Sequence, residues 1–548
     1  MPSLRRLPIL AVLALAALVP VMYLGAGTAQ APTGGIAKPL NTYAEVLSLI
    51  QERHAPASDD KKIVYSGIHG MLHTLDPHTN FLDDEAYREM REEQRGSFFG
   101  LGIVISKRGR YQPLRVVSPI ADTPAARMGI RAGDIISHIR DEKAGVDVDT
   151  IGLTIQEAVK YLRGAQGSNV EVSVDRSGFD GPLVFTIARD SVRTPAVNNV
   201  LMVAPGVGYI KIANFTETTS SELDRALETL RLQGAKKLVL DLQGNPGGLL
   251  EEAIGVASRF LEPNELVVYT EGRVPGSRQD YGAMKEVPRV DWPVAVLVDR
   301  GSASASEIVS GAIQDHDRGI VLGETSFGKG LVQSVYPLSE NTGLALTTQK
   351  YYTPSGRCIQ RPYDSEEEYY LENAQRDEVP TAAADAPVYA TESGRKVFGG
   401  GGITPDIPVA TPRAGEALIQ VRRLSASTRF VAPLKDEARK RYATDKQALI
   451  NDFIAFCQKE VPQVRPDQIR AAKSDIELEL DAELALAAGG MTARDRVFLM
   501  KNPVLQRALE SFGDAEKLEA QRNKARQFKV TTQELKRPKE IPDETPVN

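Results

Sequence analysis

The spacing of hydrophobic and polar residues changes several times along the chain, and each change predicts a different kind of structure. Over residues 39–95 the apolar positions recur at helical spacing. Short β-type runs dominate residues 96–190, with one helical segment among them. Over residues 191–410 strands and helices alternate, which is typical of an α/β layer fold. Residues 411–548 are rich in Ala, Leu, Glu, Lys and Arg, and they predict a mainly helical C-terminal region.

The N-terminal pattern predicts a targeting segment over residues 1–29. Arg5 and Arg6 precede an apolar run from Leu7 to Leu24, and small residues follow it up to Ala29. A positive stub, an apolar stretch and small residues are typical of a secretory signal. The run is also just long enough to span a bilayer, so cleavage after Ala29 and retention as a membrane anchor both stay open. Either outcome predicts that the rest of the chain lies beyond the membrane.

Composition narrows the class of protein. The formal net charge of −6 disfavours nucleic acid as the main partner, because proteins that bind a polyanion are normally basic. The apolar content of 42% argues against a disordered chain. Only two cysteines are present, Cys358 and Cys457. They exclude a disulfide scaffold and a four-cysteine zinc site, and their redox state stays open.

A serine-rich turn is the most informative segment of the chain. The apolar run Val294–Val298 predicts a buried strand, and the small residues of Ser302–Glu307 then begin a helix. Backbone N–H groups at a helix N-terminus are unpaired, so they could stabilise the oxyanion formed when a serine attacks a carbonyl. The alternative is that these serines only cap the helix and allow close packing. The pattern alone does not say which serine would react.

A serine nucleophile needs a base, and the sequence supplies histidine poorly. Five of the six histidines precede the α/β segment, and His316 is predicted to end the helix after the serines. Lysine can act as the base when it is uncharged. Glycines flank Lys329, which favours close burial and therefore a lowered pKa. Gln333 follows four residues later, and in an extended segment its amide would lie on the same side as the amine.

A third segment could supply backbone donors to the same site. The predicted strand Leu238–Leu242 runs into the Gly- and Pro-containing turn Gln243–Gly248. Such a turn can present backbone N–H groups beside the serine. A simple strand-to-helix turn is the alternative.

Together these segments resemble the C-terminal processing peptidases, also called tail-specific proteases, from about Tyr43 to Val409. Seven segments in order carry the resemblance: Leu75–Leu82 (LDPHTNFL), Phe99–Ile103 (FGLGI), Asp241–Gly248 (DLQGNPGG), Gly301–Glu307 (GSASASE), Gly328–Gly330 (GKG), Tyr351–Gly356 (YYTPSG) and Gly402–Asp406 (GITPD). The resemblance implies a multidomain α/β protein. A ClpP/crotonase-like protease core would carry an inserted β-rich PDZ domain, a helical N-terminal segment and a helical C-terminal region.

The resemblance also implies a role for individual residues. The family nucleophile lies 25 residues before the lysine, which selects Ser304, with Lys329 as general base and Gln333 as the residue that orients the lysine. Other roles are implied for two groups of residues: oxyanion donors at Ala305 and at Gly247 or Gly248, and a carboxylate-binding PDZ loop at Gly100, Leu101, Gly102 and Ile103. The chain departs from the family at Gln243, where an arginine is usual. Arg163 resembles a residue that couples the PDZ domain to activation in some relatives.

The resemblance therefore implies a serine endopeptidase of the cell envelope that selects proteins by their C-termini and needs no metal or cofactor. Together with the N-terminal segment, it predicts a location in the bacterial periplasm or at the extracytoplasmic face of the inner membrane. Its partners would be protein or peptide substrates with exposed C-termini. An adaptor protein, PDZ-gated activation and homo-oligomers formed through the C-terminal helices stay open. The alternatives are a catalytically silent PDZ scaffold and a metallohydrolase using His69, His73 and His78.

Overall fold

The computed structural model describes residues 35–107, 109–176, 178–363, 369, 386–411 and 413–536. The predicted signal or anchor segment, residues 1–29, lies outside this part of the chain. By internal contacts the chain divides into two units, Met1–Leu75 and Asp76–Asn548. Among the helices of the described residues, none is both long enough and apolar enough to cross a membrane.

The helical and strand-rich regions occur in the order that the hydrophobic pattern predicts. The strands are β1 (Asn80–Leu82), β2 (Ser97–Gly100), β3 (Ile103–Ser106), β4 (Leu114–Pro119), β5 (Ile135–Asp141), β6 (Val146–Asp149), β7 (Asn169–Asp175), β8 (Leu183–Ala188), β9 (Asp190–Arg193), β10 (Val197–Ala204), β11 (Val207–Ile212), β12 (Lys237–Asp241), β13 (Leu266–Gly272), β14 (Gln279–Gly282), β15 (Val294–Val298), β16 (Gly319–Gly323), β17 (Leu331–Pro337), β18 (Gly343–Tyr352), β19 (Val388–Ala390), β20 (Lys396–Phe398) and β21 (Ile407–Pro408). The helices are α1 (Ala37–Arg53), α2 (Asp60–Leu72), α3 (Asp84–Arg95), α4 (Pro124–Arg127), α5 (Ile155–Leu162), α6 (Thr219–Leu232), α7 (Leu250–Ser258), α8 (Ala305–Asp315), α9 (Glu416–Arg423), α10 (Ala426–Val431), α11 (Asp436–Thr444), α12 (Lys446–Glu460), α13 (Pro466–Ala471), α14 (Lys473–Met500), α15 (Pro503–Glu510) and α16 (Phe512–Lys536).

The first unit contains helices α1 and α2. Asp59 begins α2 by accepting a hydrogen bond from the backbone N–H of Lys62 at 3.1 Å, which satisfies one of the unpaired donors of the first turn. Helix α1 has no buried residue, and its apolar side chains Leu40, Val46 and Leu49 are exposed.

The β-rich module begins after α3, which ends at Gly96 in the left-handed conformation. Strands β3, β4, β5, β7 and β8 are neighbours in one antiparallel sheet, and β6 pairs with β5. Strands β2 and β9 form a separate pair. Helix α5 begins with a capping box between Thr154 and Glu157, and it buries Ala158 and Leu162 in the core of this module.

The segments that carry the candidate catalytic residues follow strands of a six-stranded sheet. The strand order of this sheet is β10–β11–β12–β15–β16–β21. The strands from β11 to β21 are parallel. Along β15 alternate residues enter two different cores: Val294 and Val296 lie on one face with α6–α8, whereas Ala295 and Leu297 lie on the other. The fully apolar run is explained by this burial on both faces.

A second sheet holds β1, β18, β13 and β14 in that order, with β17 also paired to β18. The segment 361–398 contains the short antiparallel pair β19–β20. Residues 364–368 and 370–385 of that segment lie outside the described part of the chain.

The C-terminal helices have two different packing partners. Helices α9–α14 form a core of their own, around Phe430, Leu449 and Phe453. Residues of α15 and α16 instead cover the second face of the six-stranded sheet, where Leu505 and Phe512 are buried with Val239 and Leu297. The apolar side of α15 is therefore used within the chain. Oligomerisation through the C-terminal helices stays a prediction.

We expect Leu505→Ala to lower the free energy of unfolding by about 2–5 kcal/mol, because it leaves a cavity under the sheet. Leu232→Ala is the matched control, since Leu232 is 75% exposed at the end of α6 and should change stability by less than about 0.5 kcal/mol. Urea unfolding followed by circular dichroism measures both. Equal stability of the two variants would contradict the packing of α15 on the sheet.

Candidate active site

Ser304 lies at a strained turn between a buried strand and a helix. It follows β15 by six residues and precedes the first residue of α8, Ala305, which starts slightly later than the sequence pattern predicts. Its backbone angles are φ 55° and ψ −113°, a region that residues other than glycine seldom adopt. A sharp strand-to-helix turn of this kind projects a serine hydroxyl from the sheet edge. The carboxyl ends of parallel strands are also where α/β sheets bind their ligands.

The neighbouring serines have structural partners. The hydroxyl of Ser302 donates to Leu242 O at 2.8 Å and accepts from Asp299 N, and the hydroxyl of Ser306 donates to Asn245 O at 2.9 Å. Both side chains are fully buried. They hold the serine turn against the loop after β12.

Lys329 reaches the site from the loop between β16 and β17. A side chain at Gly328 would press on Arg361 and Gly402, and one at Gly330 would meet Gln360 N at 2.8 Å. The two glycines therefore allow the chain to run close to these neighbours. Lys329 Nζ donates to Gln333 Oε1 at 3.0 Å. No hydrogen bond joins Ser304 Oγ to Lys329 Nζ within the described residues.

Burial lowers the pKa of Lys329 below the ordinary lysine value of 10.5, while the negative charges of Glu307 and Asp76 raise it in part. His78, which also lies near the amine, has its pKa lowered to about 4 by burial first and then by Lys329 and Arg361, with Asp76 opposing. The imidazole is therefore neutral at physiological pH. An amine in this environment is easier to deprotonate than an exposed lysine.

Glu307 and Tyr351 tie Ser304 to Lys329, and sequence reasoning had missed this role for both. The carboxylate of Glu307, 0% exposed, accepts from Ser304 N at 2.8 Å and from Lys329 N at 2.9 Å. The hydroxyl of Tyr351 donates to Ser304 O at 3.1 Å and also to Lys329 O. Burial raises the pKa of Glu307 to about 7, although the hydrogen bonds from Ser326, Gly328 and these backbone groups lower it in part. Two buried side chains thus fix the two backbones side by side.

In the loop after β12, the amides of the two candidate oxyanion donors, Gly247 and Gly248, differ in their hydrogen bonds. Gly247 N donates to Asn245 Oδ1 at 2.9 Å, so that amide is already used. The amides of Gly248 and Ala305 donate no hydrogen bond within the described residues. The loop lies directly against the serine, because a side chain at Gly247 would stand 2.8 Å from Ser304 Cβ. Gly248 and Ala305 are therefore the available pair of donors.

The C-terminal helices contact this loop at the position where the family usually has arginine. Gln243 is buried, and its Oε1 accepts from Asn502 Nδ2 at 2.8 Å. Asn502 also begins α15 by accepting from Val504 N. Gln243 O accepts from Lys211 Nζ at 2.8 Å, so both ends of this residue are held.

The predicted PDZ loop joins β2 to β3. Leu101 is buried in the module core, while the amides of Leu101 and Gly102 donate no hydrogen bond within the described residues. Gly102 has φ +75°, and a side chain there would meet Thr123 at 2.2 Å. Beside the loop, α3 and α5 border a cavity of about 1240 Å³ that reaches Phe99 and Arg163. The guanidinium of Arg163 stacks 4.2 Å from the ring centre of Phe98.

Comparison with known proteins agrees with this geometry. The model of peptidase family S41 matches residues 206–365, and a PDZ domain model matches residues 115–176. The carboxy-terminal-processing protease of Bartonella bacilliformis is 40% identical over 327 residues, which cover 59% of this chain and 73% of that protein. This chain belongs to the carboxy-terminal processing proteases. It is a serine-type peptidase with a PDZ domain, which disfavours the silent-scaffold alternative.

Two further proteins are similar to this protease at lower identity. CtpA of Bacillus subtilis is 33% identical over 57% of this chain and 65% of its own length. Among solved structures, the photosystem II D1 C-terminal processing protease is 27% identical over 67% of this chain and 86% of that one, with a TM-score of 0.35.

Within the described part of the protease, one group of side chains has the spacing of a metal site: Glu265, His316 and Glu392. It does not include the histidines of the metallohydrolase alternative. Its carboxylates are engaged by arginines of α16, with Arg522 donating to Glu265 at 2.8 Å and Arg526 to Glu392 at 2.9 Å. This cluster anchors α16 to the protease core.

We expect kcat/KM of this protease to rise with pH through an ionisation whose apparent pKa lies below that of an ordinary lysine. The reason is that only the uncharged amine of Lys329 can accept a proton, and burial favours that form. Peptide hydrolysis across the neutral and alkaline range measures the profile, with circular dichroism at each pH as the folding control. A rate that shows no ionisation in this range would contradict the role of Lys329.

Proposed function

We propose that this protein is an envelope serine endopeptidase that captures substrate chains by their C-termini and cleaves them with Ser304 and Lys329. The observation that carries the proposal is that two side chains hold the backbones of Ser304 and Lys329 next to each other. Glu307 and Tyr351 each hydrogen-bond the backbones of both. Two unused amides, of Gly248 and Ala305, lie beside the same serine. A nucleophile, a base of lowered pKa and an oxyanion site are the parts that acyl transfer requires.

The proposed reaction follows from these positions. Uncharged Lys329 Nζ takes the proton of the Ser304 hydroxyl as its oxygen attacks the scissile carbonyl. The amides of Gly248 and Ala305 hold the negative oxygen, and the resulting ammonium gives its proton to the leaving amine. Water then hydrolyses the acyl-enzyme with Lys329 again as base. The hydrogen bond from serine to lysine forms in the substrate complex, as catalytic hydrogen bonds often do.

The PDZ module provides the selection of C-termini in this proposal. The free amides of Leu101 and Gly102 are suited to a terminal carboxylate, and the peptide would extend the sheet along β3. The similarity to a carboxy-terminal-processing protease of Bartonella bacilliformis supports processing at carboxyl termini. An adaptor protein and PDZ-gated activation remain part of the proposal, as does the envelope location, which rests on residues 1–29.

The first experiment measures degradation of a denatured reporter protein by purified wild-type and variant enzymes. Ser304→Ala should abolish degradation, whereas Ser306→Ala, a matched change two residues away, should keep measurable activity. Degradation by Ser304→Ala at the wild-type rate would reject the proposed function.

The second experiment tests selection by the C-terminus. The same peptide is offered with a free terminal carboxylate and as the terminal carboxamide. The free acid should be cleaved with the lower KM, because the carboxamide carries no charge for the loop amides to bind. Equal KM values would reject carboxylate capture while leaving the peptidase activity intact.

A further inference from the structure

The turn Asp76–Thr79 contacts Gln333, the residue predicted to orient Lys329, through one backbone carbonyl. Gln333 uses its Oε1 to accept from Lys329 Nζ at 3.0 Å, and its Nε2 donates to His78 O. His78 lies 255 residues before Gln333 in the chain. This turn lies in Leu75–Leu82, one of the segments that carry the family resemblance, and only His78 of it was given a predicted role, as a ligand in the metallohydrolase alternative.

Asp76 holds this turn in shape. Its Oδ1 accepts from His78 N and Thr79 N, both at 2.8 Å, and its Oδ2 accepts from the hydroxyl of Thr79 at 2.6 Å. Burial alone would raise the pKa of Asp76, but these bonds and one from Thr347 hold it below the ordinary value. The carboxylate is therefore ionised at neutral pH, and it organises the backbone that ends in His78 O.

The same turn is fastened to the strand opposite Gln333. Thr347 of β18 is the register partner of Gln333 of β17. Its hydroxyl donates to Asp76 Oδ1 at 3.1 Å, and its backbone N–H donates to the hydroxyl of Thr79 at 3.1 Å. Strand β1 then continues from the turn by pairing with β18. The position of His78 O is thus set relative to the strand pair that carries Gln333.

The chemical consequence concerns the two ends of the Gln333 amide. One end is an acceptor and the other a donor. A carbonyl such as His78 O accepts hydrogen bonds only, so it selects the orientation in which Nε2 faces the turn and Oε1 faces Lys329. An uncharged amine that donates one hydrogen to Oε1 keeps its lone pair for the serine hydroxyl. The reversed amide would occupy that lone pair.

We propose that Asp76 is a positioning residue, which shapes the turn ending in His78 O and thereby fixes the amide of Gln333 toward Lys329. This inference rests on the proposed function. It gives the Asp76–Thr79 turn a role in orienting the base, although the turn makes no hydrogen bond to Ser304 or Lys329 within the described residues.

The test is a double-mutant cycle of Asp76→Ala and Gln333→Ala in the full chain, with kcat and KM measured on one peptide substrate. We expect each single change to lower kcat by about 10- to 100-fold with KM changed less than about twofold, as for a misplaced catalytic group. In the Gln333→Ala background, adding Asp76→Ala should lower kcat by less than a further factor of about two. If the double variant loses the product of the two single-variant losses in kcat, the inference is overturned. Full activity of Asp76→Ala would overturn it as well.

Matched variants separate positioning from folding. Asp83→Ala removes another carboxylate that caps a nearby backbone, since Asp83 accepts from Ala86 N at 2.8 Å, and it should leave kcat unchanged. Asp76→Asn keeps an acceptor oxygen and should recover part of the lost kcat. If Asp76→Ala fails to fold, Thr347→Val removes one bond to Asp76 at nearly constant shape, and its smaller loss of kcat should also vanish in the Gln333→Ala background.

The result is distinguishable from failure of the proposed function. If Ser304→Ala retains activity, the peptidase mechanism itself is wrong, and the inference fails with it. If Ser304→Ala is inactive while the losses of Asp76→Ala and Gln333→Ala multiply, the function stands and only the inference is overturned.

Discussion

Replacing Lys329 with methionine is expected to lower kcat by about 10²–10⁴-fold, the range typical for loss of a general base. Methionine has a similar length but cannot accept the proton of Ser304. The fold should be at least as stable, because burial disfavours the charged form of Lys329 and methionine carries no charge. Peptide hydrolysis and thermal unfolding of the same preparations measure both effects.

Lys350→Met is the matched control for this prediction. Lys350 is exposed on β18, so the same exchange there removes a charge without touching the site. Its kcat should equal that of the wild type. Proteolysis by Lys329→Met at the wild-type rate would show that another group deprotonates the serine, and the assignment of the base would have to be abandoned.

Replacing Gly248 with alanine is expected to lower kcat by about 10²–10³-fold, the usual cost of losing an oxyanion donor. The backbone of Gly248 has φ +143°, and a side chain would stand 2.1 Å from Phe215 O. The loop must therefore move, and the amide of Gly248 moves with it. Hydrolysis of a peptide substrate measures the loss, which should fall on kcat more than on KM.

Gly244→Ala is the control in the same loop. Its φ is +69°, and no atom stands within 4 Å of an added side chain, so it introduces backbone strain without a collision. It should cost stability but keep most of the kcat. Equal losses for the two variants would mean that strain of the loop, rather than the position of the Gly248 amide, limits the reaction.

Much of the buried core could be predicted because its hydrophobic pattern involves residues that are close together in the chain. The run Val294–Val298 is apolar at every position and is a strand buried on both faces, as predicted. Ser304 and Lys329 were assigned from the resemblance to the family's motifs and their spacing, which needs no knowledge of the fold.

The role of Glu307 was not accessible in the same way. A glutamate three residues after a serine indicates a capping box, and it does accept from Ser304 N. Its other partners, Ser326, Gly328 and Lys329, lie about twenty residues further along the chain. Nothing in a local pattern indicates that this loop returns to the start of α8.

The choice between Gly247 and Gly248 is a similar case. Both are glycines in one turn, and the sequence leaves them equivalent. Only the folded loop shows that Asn245 takes the amide of Gly247 and leaves that of Gly248 unused.

The sequence by itself determined the alternation of strands and helices, the buried run Val294–Val298 and, through the family resemblance, the residues proposed as nucleophile and base. These follow from periodicity and motif spacing, which depend on residues close together in the chain. The tertiary structure alone decided which backbone amides are free, that α15 covers the sheet, and that the Asp76–Thr79 turn meets Gln333. Those features are contacts between residues far apart in the chain, and burial and hydrogen-bond geometry set them only once the chain has folded.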